Sequence, residues 1–174
     1  MKFNKIYGLA LAVALSGASA KAADVGKPAQ DFTIMTYDFK KIGAAELKGK
    51  VVVLNYWATW CTPCKAEMIT FDNYMRAHPG TDLKIYSIAT EDSVDARKLR
   101  PLMSVLSFPL ARNLHGRGYG VMDGVPTTYV IDRSGVVRWA KAGAFDKESF
   151  DELITPLLAQ APPAEPATAV ASAR

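Results

Sequence analysis

Two runs of strand-forming residues in the middle of the chain, 51–56 and 83–89, predict two strands, and the largely apolar first run predicts burial on both faces. A strand that is covered on both faces loses the usual alternation of apolar and polar positions. The segment after the first run repeats apolar residues at intervals of four, three and four, which is typical of one helix stripe. This stripe consists of Cys64, Met68, Phe71 and Met75. The helix should end near residues 78–80, His-Pro-Gly.

The flanking segments extend this pattern into a mixed α/β chain. Residues 31–42 predict a hairpin, 44–47 a helical turn, and 127–131 with 136–140 a second hairpin. Between them we expect a helical region from Ser93 that Pro101 splits, a short strand at 108–111, and a loop or weak helix at 116–124. Asp146 should cap a last helix with its apolar face on Phe150, Leu153, Ile154, Leu157 and Leu158. Strands joined by helices imply right-handed parallel crossovers, with the second hairpin at one edge of the sheet.

The first 20 residues have the three parts of a secretory signal peptide. Lys2 and Lys5 precede an apolar stretch at 6–15, which is too short to span a bilayer, and Ala18-Ser19-Ala20 follows as a cleavage site. The alternative is an uncleaved membrane anchor. We therefore expect an exported, periplasmic protein with one domain at 21–160. The Ala/Pro-rich tail at 161–174 has no core-forming run and is predicted to be disordered.

The charge balance argues against a nucleic-acid or membrane-surface partner. The sequence has 21 basic and 17 acidic residues, and removal of Lys2 and Lys5 with the leader leaves the mature chain near +2. Such a weak and dispersed charge gives no basic patch for phosphates. The mature length suits one core, and we expect a monomer.

The only two cysteines, Cys61 and Cys64, lie where the first apolar run meets the helix. The stripe directs Cys64 inward, whereas Cys61 falls in the first helical turn, where unpaired N–H groups and the helix dipole favour an anion. A thiolate is such an anion, and it is the form that attacks disulfides. We predict a redox dithiol in which Cys61 is the exposed nucleophile and Cys64 resolves the mixed disulfide.

Two other uses of a CxxC pair are less consistent with the sequence. A structural zinc site needs four ligands, but there is no second CxxC, and the two histidines, His78 and His115, show no ligand spacing. A purely structural disulfide across this spacing closes almost no loop and would add little stability. We expect no bound metal and no cofactor beyond the redox-active disulfide itself.

Together with this order of elements, two motifs make the chain resemble the thioredoxin superfamily, and specifically its TlpA/ResA-like branch. They are Trp60-Cys61-Thr62-Pro63-Cys64 and Gly124-Val125-Pro126-Thr127-Thr128, and the resemblance covers about residues 25–158. It implies a central mixed sheet flanked by helices, with an N-terminal β-hairpin extension. It also implies an exported thiol–disulfide oxidoreductase, which receives electrons from a membrane thiol donor. Recipients in the family are exported protein disulfides, including those of apocytochrome c and of copper-site proteins.

The resemblance also implies the surroundings of the dithiol. Pro126 matches the family's cis-proline, and the backbone of Val125 would pair with an incoming substrate strand. Trp60, Thr62 and Pro63 would form the rest of the substrate-binding surface.

Two positions, Asn55 and Ile69, depart from the pattern of the wider family. Thioredoxin carries a buried aspartate six residues before the first cysteine, where this chain has Asn55, and an amide cannot accept the proton that Cys64 must lose. Glu91 resembles an acidic residue of ResA-like members and is the predicted proton acceptor; the alternative is a solvated loop carboxylate. Ile69 replaces a proline of the redox helix, which should straighten that helix.

Two functions compete with a reductase of protein disulfides. A DsbA-like oxidant would use the same dithiol in the opposite direction, but the chain has no long inserted helical segment. A Cu(I) chaperone would use Cys61 and Cys64 as soft ligands, with Met68 one turn away. A peroxidase does not fit, because there is no cysteine outside the CxxC pair.

Overall fold

A seven-stranded mixed sheet with three helices forms the part of the chain that the computed structural model describes, residues 23–91 and 94–162. The strands are β1 Phe32–Thr36, β2 Lys41–Gly43, β3 Val51–Trp57, β4 Leu83–Ala89, β5 Leu110–Gly116, β6 Thr127–Ile131 and β7 Val137–Ala142. The helices are α1 Thr62–Ala77, α2 Ala96–Val105 and α3 Lys147–Ala159, and a 3₁₀ turn spans Ala44–Leu47. The predicted signal peptide lies outside the described residues, as does the predicted tail beyond residue 162. No helix in the described ranges is long and apolar enough to cross a membrane.

The sheet has the order β2-β1-β5-β4-β3-β6-β7. Its centre is parallel, since β4 pairs in parallel with both β3 and β5. Antiparallel hairpins complete both edges: β6 and β7 extend one side from β3, and β1 joins β5 on the other side with β2 outside it. The predicted thioredoxin-like fold with an N-terminal hairpin is confirmed.

Strand β3 runs through the middle of the core and is buried at every position. Its side chains alternate between two apolar clusters, so that Val53 and Trp57 face α1 while Leu54 and Tyr56 face the opposite side. Each fully buried aliphatic or aromatic side chain of this kind contributes about 1.5–3 kcal/mol relative to an exposed one. The strand therefore provides a rigid support for the cysteines that follow it.

Helix α1 begins immediately after Cys61, which occupies its N-cap position, and has Pro63 in its first turn. Proline is favoured there because its missing N–H would have no intrahelical acceptor. The predicted stripe is confirmed, with Cys64, Met68 and Phe71 buried against the core. The helix ends at Ala77, close to the predicted His-Pro-Gly stop.

Two predicted elements between β4 and β6 are wrong in their bounds. Helix α2 is a single helix that starts at Ala96 and contains Pro101, because burial of Leu99 and packing of Leu102 and Met103 against the core offset the lost hydrogen bond and the ring clash of an internal proline. The Asp95 side chain caps the helix by accepting a hydrogen bond from the N–H of Arg97. The expected short strand at 108–111 is instead β5, which extends to Gly116 because it has two partners, β1 and β4.

Candidate functional site

Cys61 and Cys64 form a disulfide at the junction of β3 and α1. The prediction that Cys61 is exposed is wrong for this oxidised form, in which the residue is only 2% exposed and Cys64 is fully buried. The reason is that the Cys61 sulfur lies between its bonded partner and the loop before β6, with Sγ 3.7 Å from the carbonyl oxygen of Val125. That loop therefore covers the sulfur that a substrate must reach.

The start of α1 provides the electrostatic environment of Cys61. The backbone N–H of Cys64 donates a hydrogen bond to Cys61 Sγ, with a distance of 3.2 Å from N to S. A sulfur at the N-cap of a helix also faces the positive end of the helix dipole. Both interactions favour a negative charge on Cys61 when the disulfide is reduced.

The loop before β6 carries Val125 and Pro126, and the peptide bond between them is cis, as the resemblance implies. Pro126 is buried and Val125 is half-buried. Gly124 has a φ of 144°, a value that side chains with a Cβ rarely adopt. Within the described part of the chain, the N–H of Val125 has no hydrogen-bond partner. This free donor stands beside Cys61, where the sequence predicts contact with a substrate backbone.

The other residues predicted to bind substrate surround the disulfide on its solvent side. Trp60 is 70% exposed, and Thr62 and Pro63 are exposed as well. Exposed aromatic residues of this kind are enriched in protein interfaces. Trp60, Thr62 and Pro63 are thus exposed next to Cys61 in the chain, and Val125 contacts Cys61 from the loop before β6.

Glu91, the predicted proton acceptor, is tied to the loop that precedes the cysteines. One carboxylate oxygen accepts a hydrogen bond from the backbone N–H of Thr59 at 2.6 Å, and the other accepts from its hydroxyl at 2.8 Å. Glu91 follows β4, the strand next to β3, so its side chain reaches the predicted end of the sheet. Both oxygens are used to hold Thr59, two residues before Cys61.

A second carboxyl group, which the sequence analysis missed as a functional group, lies on α1 three residues after Cys64. Glu67 is fully buried on α1, one turn beyond Cys64. Its oxygens accept hydrogen bonds from the side-chain amide of Asn55 at 2.6 Å, from the N–H of Phe145 at 3.0 Å and from the hydroxyl of Thr128 at 3.4 Å. Burial raises the pKa of Glu67 to about 7, and these hydrogen bonds offset part of the rise.

Asn55 connects this carboxyl group to the sheet. Its amide nitrogen donates to Glu67 and, at 2.9 Å, to the Thr128 hydroxyl, and its oxygen accepts from the Ser87 hydroxyl at 3.2 Å. Asn55 thus stands where thioredoxin carries its aspartate, and its amide binds the carboxyl group of Glu67 from helix α1. The signal was available in the sequence: Glu67 stands three residues after Cys64, beside Met68 on the inward stripe.

Comparison with known proteins agrees with the fold and the cysteine pair. The profile of the AhpC/TSA family matches residues 25–140. The thiol-disulfide oxidoreductase ResA of Bacillus thuringiensis subsp. konkukian is 31% identical over 134 residues, which cover 75% of this chain and 77% of that protein. The thiol:disulfide interchange protein DsbE of Escherichia coli is 30% identical over 145 residues, 79% of this chain and 75% of that protein.

A solved structure gives the same result. The thiol:disulfide interchange protein of the thioredoxin family from Chlorobium tepidum TLS matches with a TM-score of 0.62 and 27% identity, over 75% of this chain and 95% of that one. The dithiol, the adjacent Val125–Pro126 loop and these relatives lead to one conclusion. The chain belongs to the AhpC/TSA family and is a thiol–disulfide oxidoreductase of the ResA/DsbE type.

Proposed function

We propose that the protein is exported to the periplasm and uses its Cys61–Cys64 dithiol to reduce disulfide bonds of other exported proteins. The observation that carries this proposal is the position of Cys61 at the N-cap of α1, beside the carbonyl of Val125 and its unpaired N–H. A sulfur placed there is activated as a thiolate and adjoins backbone groups that can hold a polypeptide. The leader-like sequence at 1–20 supports export.

In the first step, the thiolate of Cys61 attacks one sulfur of the substrate disulfide. The substrate S–S bond breaks, an S–S bond to Cys61 forms, and the other substrate sulfur leaves as a thiolate. The N–H of Cys64 and the dipole of α1 stabilise the attacking thiolate. Val125, Pro126, Trp60, Thr62 and Pro63 are the residues we expect to contact the substrate chain.

In the second step, Cys64 loses its proton and attacks Cys61, which releases the second substrate sulfur and forms the intramolecular disulfide. Cys64 is fully buried, and burial in apolar surroundings opposes ionisation, so the step needs a base. Glu67 suits this role because it lies one turn away on the same helix face and has a pKa of about 7, so that it exchanges protons near neutral pH.

The oxygens of both carboxyl groups accept hydrogen bonds, so position distinguishes them: Glu91 binds Thr59 in the loop before Cys61, whereas Glu67 lies on the helix that carries Cys64. We therefore assign Glu91 to holding that loop, and mutagenesis tests its predicted role as proton acceptor. The cycle transfers two electrons to the substrate and leaves the protein oxidised. We propose that a thiol donor in the membrane returns the two electrons by the same exchange chemistry.

The experiment that tests this function is the capture of mixed disulfides. A Cys64→Ala variant cannot complete the second step, so exported proteins should accumulate on Cys61 in the native host and can be identified by mass spectrometry. A Cys61→Ala variant is the matched control and should trap far less. Apocytochrome c and copper-site proteins are the expected partners. Equal recovery of proteins on both variants would contradict the proposal.

A further inference from the structure

The guanidinium group of Arg112 lies over two aromatic rings at the tip of the N-terminal hairpin. Its central carbon is 5.4 Å from the ring centre of Tyr37 and 5.3 Å from that of Phe39, and both distances fall within the range of cation–π attraction. Tyr37 is buried in the same apolar cluster as Trp57 and Cys61. These contacts fix the position of the positive charge relative to the dithiol.

The positive charge of Arg112 has no ion-pair partner among the described residues. Across residues 23–91 and 94–162, no carboxylate lies within ion-pair distance of its guanidinium, and no hydrogen bond from that group is found. An arginine fork carries five N–H donors in a plane and matches a carboxylate with two parallel hydrogen bonds. Arg112 therefore presents an exposed guanidinium that can bind an anion.

Phe39 supports Arg112 at a position where phenylalanine is otherwise unfavourable. Its φ is 64°, in the left-handed region that residues with a Cβ avoid, and its side chain is 73% exposed. Glycine or asparagine would suit this turn better. Neither the turn nor the core explains an aromatic residue here, whereas its contact with the guanidinium does.

The register of the sheet places Arg112 at the edge where the cysteines lie. Ile88 pairs with Ala111, so Arg112 stands level with the end of β4, and Ala89 at that end pairs with Trp57 of β3. Neighbouring strands are about 4.8 Å apart, so Arg112 is roughly 10 Å across the sheet from the strand that leads into Cys61. An extended peptide covers that distance with about three residues.

We propose that Arg112 binds an aspartate or glutamate side chain of the disulfide-bearing partner, and so favours substrates with an acidic residue about three positions from the reactive cysteine. The inference rests on the proposed function, because it takes polypeptide disulfides as the substrates. It adds a docking site on the β4–β5 side of the dithiol, opposite the Val125–Pro126 loop.

The test compares oxidised peptides that differ by one residue. Each contains a disulfide and either glutamate or glutamine three residues before or after the attacked cysteine, and the second-order rate constant for one turnover is measured with the pre-reduced protein. We expect at least one glutamate peptide to react about fivefold faster than its glutamine version at low salt. The preference should disappear in Arg112→Gln and at high ionic strength. It should persist in Lys84→Gln, which removes an exposed charge near the opposite end of β4.

A Phe39→Ala variant provides a second measurement if Arg112→Gln is unstable. This variant keeps the Arg112 guanidinium but removes the Phe39 ring that supports it. The preference for glutamate peptides over glutamine peptides should therefore become smaller but remain. A preference that survives in both variants, or that Lys84→Gln lowers equally, would overturn the docking site. Wild-type protein that reduces glutamate and glutamine peptides equally would also overturn it while leaving the proposed function intact. Failure to reduce any of the peptides would contradict the proposed function itself.

Discussion

Glu67 should make the stability of the oxidised protein depend on pH. The pKa of this carboxyl group is about 7 in the folded protein, compared with 4.5 for an unperturbed glutamate. The folded state therefore binds the proton more tightly than the unfolded state does. The resulting stabilisation is complete below about pH 4.5 and is lost as the pH rises through about 7. At about 1.36 kcal/mol per pH unit, the loss amounts to roughly 3 kcal/mol.

A Glu67→Gln variant removes this dependence, because glutamine does not ionise. The glutamine amide nitrogen is a donor, and in either orientation it would face another donor. That donor is the Asn55 amide on one side, or the Phe145 N–H and the Thr128 hydroxyl on the other. This mismatch costs about 1–3 kcal/mol at every pH. Wild type should therefore be the more stable protein at low pH and should lose roughly 3 kcal/mol relative to the variant as the pH rises.

Urea unfolding of the two oxidised proteins, between about pH 4.5 and 8, measures this difference directly. The disulfide must be kept intact so that neither cysteine titrates. The difference in unfolding free energy between wild type and variant should change by roughly 3 kcal/mol across this range. A difference that stays constant would refute the reasoning that Glu67 is a buried carboxyl group with a raised pKa.

Three further predictions concern the chemistry of the dithiol. Alkylation of the reduced protein at neutral pH should modify Cys61 before Cys64, and mass spectrometry that finds Cys64 labelled first would reverse their roles. Pro126→Ala should slow exchange with protein disulfides and let the dithiol take up metal; unchanged turnover without metal uptake would make Pro126 only a turn residue. Glu91→Gln should lower the rate of disulfide reduction by releasing Thr59 without moving the midpoint of the pH–rate profile, which Glu67→Gln should move. A shifted midpoint in Glu91→Gln would identify Glu91 as the proton acceptor after all.

The parts of the fold that were predictable are those in which local pattern and tertiary structure agree. Strand β3 is apolar at every position except Asn55, and the stripe of α1 has helical spacing, so each shows its environment in its own sequence. The sequence of strand β5, Leu-Ala-Arg-Asn-Leu-His-Gly, has no strand-like alternation of apolar and polar residues. The strand forms because β1 and β4, from distant parts of the chain, pair with it. Pro101 was also misleading, because packing of α2 overrides the loss of one hydrogen bond.

In the candidate site, too, the residues marked by local motifs were predictable and those placed by distant contacts were not. The cysteine pair and Pro126 are marked by sequence motifs, whereas the burial of Glu67 depends on partners 12, 61 and 78 residues away in the chain. A glutamate on a helix is usually solvated, and only the position of Asn55 and Thr128 under the helix makes this one an internal acid. The burial of Cys61 likewise comes from Val125, which is 64 residues away.

The redox state of Cys61 and Cys64 in living cells tests the central claim most directly. A reductase must hold its dithiol reduced between turnovers, whereas an oxidant must hold it as a disulfide. Cells of the native host can be quenched with acid, and their free thiols labelled with a maleimide of high mass that shifts the protein on a gel. We predict that most of the protein carries two labels and that it becomes oxidised when the proposed membrane thiol donor is removed. A protein that is found as the unlabelled disulfide at steady state would contradict the proposed direction of electron flow.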